Sequence, residues 1–260
     1  MSKVQRPRRS RDELRALLMD VGQSILLEEG LGARADTLTF KRAFERIRAD
    51  TGVGLTNASV IGRLWTNQAD YQTDVLVALA SDRSRSTVNE VADMVAKVLE
   101  ECDLSTAEAR AASLREVCRV AGETQGTALR HSASWSLWIN LWAMATSSNL
   151  PDRQHRILTT LMEGYEEINQ HAEEVFGFLM MLLGYRLRDP LTVRQFLNAA
   201  GALSEGCSLR DRVDSQMAGI VRPTGPAGED QDWTIYAIGL EALTRQFFEP
   251  DPDYGAEPAD

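Results

Sequence analysis

The stretch Leu55–Tyr71, LTNASVIGRLWTNQADY, gathers hydrogen-bonding side chains at the spacing of one short helix. Thr56, Asn57 and Ser59 at its front can bond base edges or phosphates. Ala58 between them permits close approach and can touch a thymine methyl. Arg63 suits a phosphate, while Val60, Ile61 and Leu64 are placed to face a core. Trp65 closes the stretch with its ring inward and its indole N–H able to donate to a phosphate. Thr66 and Gln68 can donate at the start of the next helix.

The elements that must position these side chains are helical. Ser10 and Glu13 form a capping box, and Leu14, Leu17, Leu18, Val21 and Ile25 follow one helical stripe to Gly30, a natural terminator. Thr39 caps a second helix whose Phe40, Ala43, Phe44 and Ile47 face inward. Lys41, Arg42, Arg46 and Arg48 point elsewhere, and Lys41 joins the candidate DNA contacts. TGVGL (51–55) breaks that helix. Thr56 or Asn57 starts a third, ending near Trp65, and a fourth begins around Ala69 with Val75, Leu76 and Leu79 on its inner face. Three short helices with a tight turn between the second and third describe a helix-turn-helix, whose second member lies in the major groove.

Charge is divided unevenly. Residues 1–80 hold 12 Lys+Arg and 10 Asp+Glu, a balance of +2, within a chain of net charge −10. Five of the first eleven residues are basic and none is acidic. Lys3, Arg6, Arg8 and Arg9 can reach along a DNA backbone or into the minor groove; a solvated tail is the other reading.

Beyond Ser81 helical spacing continues through approximate segments 87–101, 106–130, 133–147, 152–188, 191–211 and 233–248. No alternating strand pattern persists, so the fold class is all-α. Val221–Asp232 reads as a loop and EPDPDYGAEPAD as a disordered acidic tail. The expected domains are residues 1–84, a helix-turn-helix with its basic arm; 85–250, a larger helical domain; and 251–260, the tail. The longest apolar run, VFGFLMMLLGY (175–185), is too short for a bilayer, and no signal peptide is visible. Three scattered cysteines, Cys102, Cys118 and Cys207, suit a cytoplasmic protein with reduced thiols.

Catalytic constellations are thin. His131, His155 and His171 form no HExxH, and Glu167 with His171 falls short of a di-iron set, so neither metal nor cofactor is expected. GVG at 52–54 lies in a turn with no strand before it. Trp135, Trp138 and Trp142 fall on one helical face, which reads as core or as one wall of a pocket. Cys118, Met162 and Tyr165 are weaker lining candidates. His171 is either a satisfied core histidine or a polar anchor for a ligand.

The stripe of the first helix, LTFKRAFERIRADTGVGL, and TNASVIGRLWTNQADYQTDVL together resemble the DNA-binding domain of the TetR family of bacterial transcription regulators. The likeness covers the N-terminal 80 or so residues by motif and the remainder only by architecture. Aligning Trp65 with the family's Phe puts Gly62 at its Tyr position and Gln68 at its phosphate-contacting Lys. The stretch before Trp65 is also about one residue longer. The resemblance implies a ligand-responsive repressor with an apolar or aromatic effector bound between the central helices. It further implies a homodimer through the two C-terminal helices, gripping a near-palindromic double-stranded operator. The alternative is a helical ligand- or partner-binding protein with a vestigial helix-turn-helix.

Overall fold

Apolar residues recurring at three and four wind most of the chain into helices. The computed structural model describes residues 9–31, 38–81, 86–147, 151–214, 219–224 and 228–255; Lys3, Arg6 and Arg8 lie outside them. In chain order come α1 (Arg11–Glu29), α2 (Phe40–Thr51), α3 (Gln68–Ser81), α4 (Ser86–Glu101), α5 (Ala107–His131), α6 (Ala133–Ser147) and α7 (Pro151–Leu182). There follow β1 (Tyr185–Leu187), α8 (Val193–Val213), β2 (Ile220–Thr224), β3 (Glu229–Trp233), α9 (Ile235–Phe247) and β4 (Phe248–Pro250). Among the described residues the chain is mostly helical, with two small antiparallel sheets that the sequence reading did not foresee. No helix among the described residues is long and apolar enough to cross a membrane.

The chain divides into two compact units, residues 1–83 with 133–164, and residues 84–132 with 165–260. α6 and the first half of α7, read from sequence as part of the larger domain, therefore cluster with the N-terminal helices.

In the first unit α1 packs on α2, α3 and α6, and α6 also meets α3. The capping box at Ser10 forms as expected, with Ser10 N–H donating to Glu13 and Glu13 N–H to Ser10 Oγ. Phe40 stacks on Tyr71 at 4.9 Å between centroids, and Trp65 meets Tyr71 edge-on at 4.9 Å. The Tyr71 hydroxyl donates to the Leu18 carbonyl at 2.9 Å, a bond joining α3 to α1. Burial pushes its phenol well above the ordinary tyrosine value.

In the second unit α5 packs against α4, α8 and α9. Its contact with α9 is close because position 122 carries no side chain: a Cβ there would come within 2.6 Å of the Ala237 Cα. Leu114, Val117, Cys118, Leu183, Phe196 and Phe248 belong to one buried cluster. β1 pairs with β4 in the register Arg186↔Glu249.

The expected loop at Val221–Asp232 is instead a hairpin, β2 paired with β3, with Val221 opposite Asp232. Its anchor is Trp233, 1 % exposed, whose indole N–H donates to Thr224 Oγ1 at 2.6 Å. The expected acidic tail is corrected too. Phe248–Pro250 is a strand, and Tyr254 donates to the Leu182 carbonyl at 2.9 Å with the Arg110 guanidinium 4.5 Å above its ring. Residues 256–260 lie outside the described residues.

Candidate nucleic-acid interface

α2 ends where the sequence places its break, with Gly52 in the left-handed conformation and its N–H donating to the Arg48 carbonyl. The segment that follows departs from expectation. Asn57–Ser59 forms a single 3-10 turn, and no α-helix runs from there to Trp65. Two isolated α-turns, Ile61 N–H to Asn57 O at 2.8 Å and Leu64 N–H to Val60 O at 2.9 Å, are separated at Gly62.

Gly62 has φ +75°, a conformation that interrupts a right-handed helix and that side-chain-bearing residues seldom adopt. Its N–H turns to the Trp65 carbonyl at 2.8 Å. The preceding Thr-Asn-Ala-Ser-Val-Ile run is poor in strong helix formers, and two adjacent β-branched residues precede the glycine. The departure from the TetR-like pattern at Gly62 is thus the point at which the helix is lost.

The polar front still faces outward. Thr56, Asn57, Ala58, Arg63 and Thr66 are exposed and Ser59 is half-buried. Ser59 Oγ, however, donates to the Thr56 carbonyl at 2.6 Å and accepts the Thr56 N–H at 3.2 Å. Val60 and Trp65 are buried, whereas Ile61, expected to face the core, is 42 % exposed.

Trp65 and Gln68 have internal partners in place of the expected phosphates. The Trp65 indole N–H donates to Asp74 Oδ2 at 2.9 Å. Arg15 reaches the same carboxylate at 2.9 Å and Arg156 at 2.8 Å, with the Arg15 guanidinium 5.6 Å from the Trp65 ring centre. Burial raises the Asp74 pKa, but the hydrogen bonds from Arg156, Trp65 and Arg15 outweigh it and hold the carboxyl below its usual range. Gln68 Oε1 accepts the Phe40 N–H at 3.1 Å, satisfying an orphan donor at the start of α2.

The basic face of α2 is largely matched by acids. Arg46 bonds both Glu28 oxygens, at 3.0 and 2.8 Å, and Arg42 bonds Glu29. Those bonds raise the Arg42 and Arg46 pKa values and lower that of Glu28. Lys41, 84 % exposed, lies 4.0 Å from Glu45. Arg48 and Arg63 are exposed and make no ion pair among the described residues, and Arg9, ahead of α1, is half-buried. Asp74 is the residue of the candidate site that sequence reasoning missed. Its signal was an acid in mid-helix on α3, beside the buried Tyr71, Val75 and Leu76.

No protein-family model and no curated protein matches this chain.

The candidate effector residues do not gather in one unit. Trp135, Trp138, Trp142 and Met162 belong to the first; Cys118, Tyr165 and His171 to the second. Trp135 and Trp138 are buried, and Trp142 lies edge-on to Trp138 at 5.6 Å. The buried indole N–H of Trp142 has no hydrogen-bond acceptor among the described residues. Met162 is 52 % exposed. Cys118 sits in the core, 3.8 Å from Thr244 Oγ1, and burial pushes its thiol up to about 12. Tyr165 is half-buried, its hydroxyl 3.0 Å from where a Cβ would stand on Gly201. His171 Nε2 meets Asn89 Oδ1 at 3.1 Å. No set of three or more metal-binding side chains occurs among the described residues.

Proposed function

We propose that the first unit binds double-stranded DNA and that the protein is a cytoplasmic transcription regulator, a ligand-responsive repressor acting as a homodimer on a near-palindromic operator. The observation that carries this reading is the two-sided segment after Gly52. Its inner side chains, Val60 and Trp65, are buried, while Thr56, Asn57, Ala58 and Arg63 stand exposed on the outer side. A polar, cation-bearing turn on an aromatic floor presents donors and acceptors to a groove without a continuous recognition helix. Exposed Arg48 and Arg63 supply phosphate contacts.

Support for the homodimer comes from α8 and α9, where Leu209 is 49 %, Val213 85 % and Ile235 40 % exposed. The effector reading rests on the Trp138–Trp142 pair and the buried Trp142 N–H, which suit a flat apolar ligand carrying one acceptor.

A second reading, a helical binding protein with a vestigial helix-turn-helix, is favoured by the internal partners of Trp65 and Gln68 and by Glu28 and Glu29 beside the arginines of α2.

Selection of bound duplexes from a random pool, followed by anisotropy titration at several salt concentrations, separates the two. The regulator enriches a near-palindrome and loses affinity steeply with salt as phosphate contacts release counterions. Replacing Thr56, Asn57 and Arg63 together by Ala abolishes the enrichment. An unselected pool with weak binding, persisting after refolding to strip any bound ligand, overturns the DNA reading in favour of the second.

A further inference from the structure

The second unit holds a charge arrangement that the DNA reading does not use. Glu241 on α9 has a side chain only 7 % exposed, and three guanidiniums converge on it. Arg222 of β2 reaches Oε2 at 2.9 Å, Arg245, one turn along α9, reaches Oε1 at 2.9 Å, and Arg115 of α5 lies 3.6 Å from Oε1. Among the described residues, Glu241 is the only carboxylate within salt-bridge distance of any of them. One negative charge against three positive leaves an excess of two.

The guanidiniums also have donors to spare. Each carries five N–H groups in a planar fork. Arg222 bonds Glu241 from one terminal nitrogen, and Arg245 from Nε and one terminal nitrogen. The Arg115 Nε–H is buried without a hydrogen-bond partner. Arg222 is held in place by stacking, its guanidinium 4.4 Å from the centre of the Trp233 ring. The side chains of Arg115, Arg222 and Arg245 remain 32 %, 31 % and 55 % exposed, so a ligand can reach them from solvent.

Like charges brought together at a partly desolvated spot repel unless an anion joins them, and forked guanidiniums match the oxygens of a phosphoryl group. We propose that Arg115, Arg222 and Arg245 form an anion site for a phosphoryl group, whose charge at neutral pH, near −2, balances the excess. Glu241 holds the three arginines in register and competes with the ligand for them. The source of the phosphoryl group is a phosphate monoester on a small molecule, since each phosphodiester of a nucleic-acid backbone carries a single negative charge. This site is independent of the DNA reading, which rests on the first unit.

The test uses the full chain and sodium phosphate against sodium chloride at equal ionic strength, by calorimetric titration and thermal melting. Phosphate raises the melting temperature beyond chloride, with a saturable binding heat. Arg245→Gln, the most exposed of the three, weakens phosphate binding about tenfold, a loss of one charge-assisted bond at ~1.4 kcal/mol per decade, while melting in chloride changes little. Glu241→Gln removes the competitor and tightens phosphate several-fold; a purely structural ion network predicts no such gain. If Glu241→Gln does not fold, Arg245→Gln decides alone. A phosphate effect no larger than that of chloride, or one that Arg245→Gln leaves intact, overturns the proposal. Displacement of phosphate by a nucleoside monophosphate and not by an unrelated DNA duplex supports the match to a monoester; displacement by the duplex, whose phosphodiesters carry one charge each, overturns it.

Discussion

Two carboxylates, one in each unit, tie together elements far apart in sequence, and they do so at different depths. Asp74 has a side chain 20 % exposed and takes Arg15, Trp65 and Arg156 from α1, the turn before α3, and α7. Glu241 is 7 % exposed and takes Arg115, Arg222 and Arg245 from α5, β2 and its own helix. The first is a shallow clasp, one of whose donors is a neutral indole, so its charge excess is one. The second is deep and over-matched by two. Depth sets how much each clasp contributes to stability; excess charge sets what else each can attract.

The largest expected effect lies at the deeper site. Glu241→Ala leaves three guanidiniums without their shared carboxylate and costs about 3 kcal/mol, the lower part of the range for breaking a buried pair because the arginines are partly solvated. Chemical denaturation measures it, and a loss under ~1 kcal/mol would place Glu241 on a par with a surface ion pair. Gly122→Ala tests the packing beneath, since the added methyl meets the α9 backbone at 2.6 Å. Overpacking of that kind costs about 1–3 kcal/mol. Gly54→Ala, with nothing within 4 Å of the new Cβ, is the control and stays within ~0.5 kcal/mol of the parent.

Asp74→Asn, at the shallow site, costs about 1–2 kcal/mol by weakening charged hydrogen bonds, and its effect carries a pH signature. The Asp74 pKa is depressed on folding. Its contribution is therefore complete above the unfolded carboxylate value, near 4, and disappears as pH falls through the lower folded value. The gap between parent and variant should close in that acidic window. A gap that stays constant down to pH 2 would assign the loss to geometry instead of charge.

Apart from the Gly54 control, the smallest effect concerns Gly62, where any side chain must occupy φ +75°. Gly62→Ala costs about 1 kcal/mol. If it instead raises helicity by circular dichroism without loss of stability, the segment is poised between turn and helix, and the contrast between the units reduces to one residue.

Most of the helices were legible because long apolar periods fix them. α6 lies at the bounds read from sequence, and α4, α5 and α9 fall within two residues of theirs. The turn at 57–65 was not, because the spacing of Val60, Ile61, Leu64 and Trp65 is helical while one glycine decides the backbone. The clasp at Asp74 joins residues separated by 59 and 82 positions, a pairing that no local period encodes. The hairpin escaped notice because its buried face carries Arg222, Thr224 and Gln231 in place of an apolar alternation, with one tryptophan as anchor. Glu241 was visible only as a single acid inside IYAIGLEALTRQF. That lone charge on an apolar face was the available signal.

The second unit is also fastened late. β1 finds its partner only when residues 248–250 are made, and the end of α7 receives the Tyr254 hydroxyl across 72 positions. A chain in which Phe248–Pro250 has not yet docked carries a unit whose closing strand is missing. Such a chain exposes the unpaired edge of β1, a template for strand addition by another chain. Docking of Phe248–Pro250 ends that exposure.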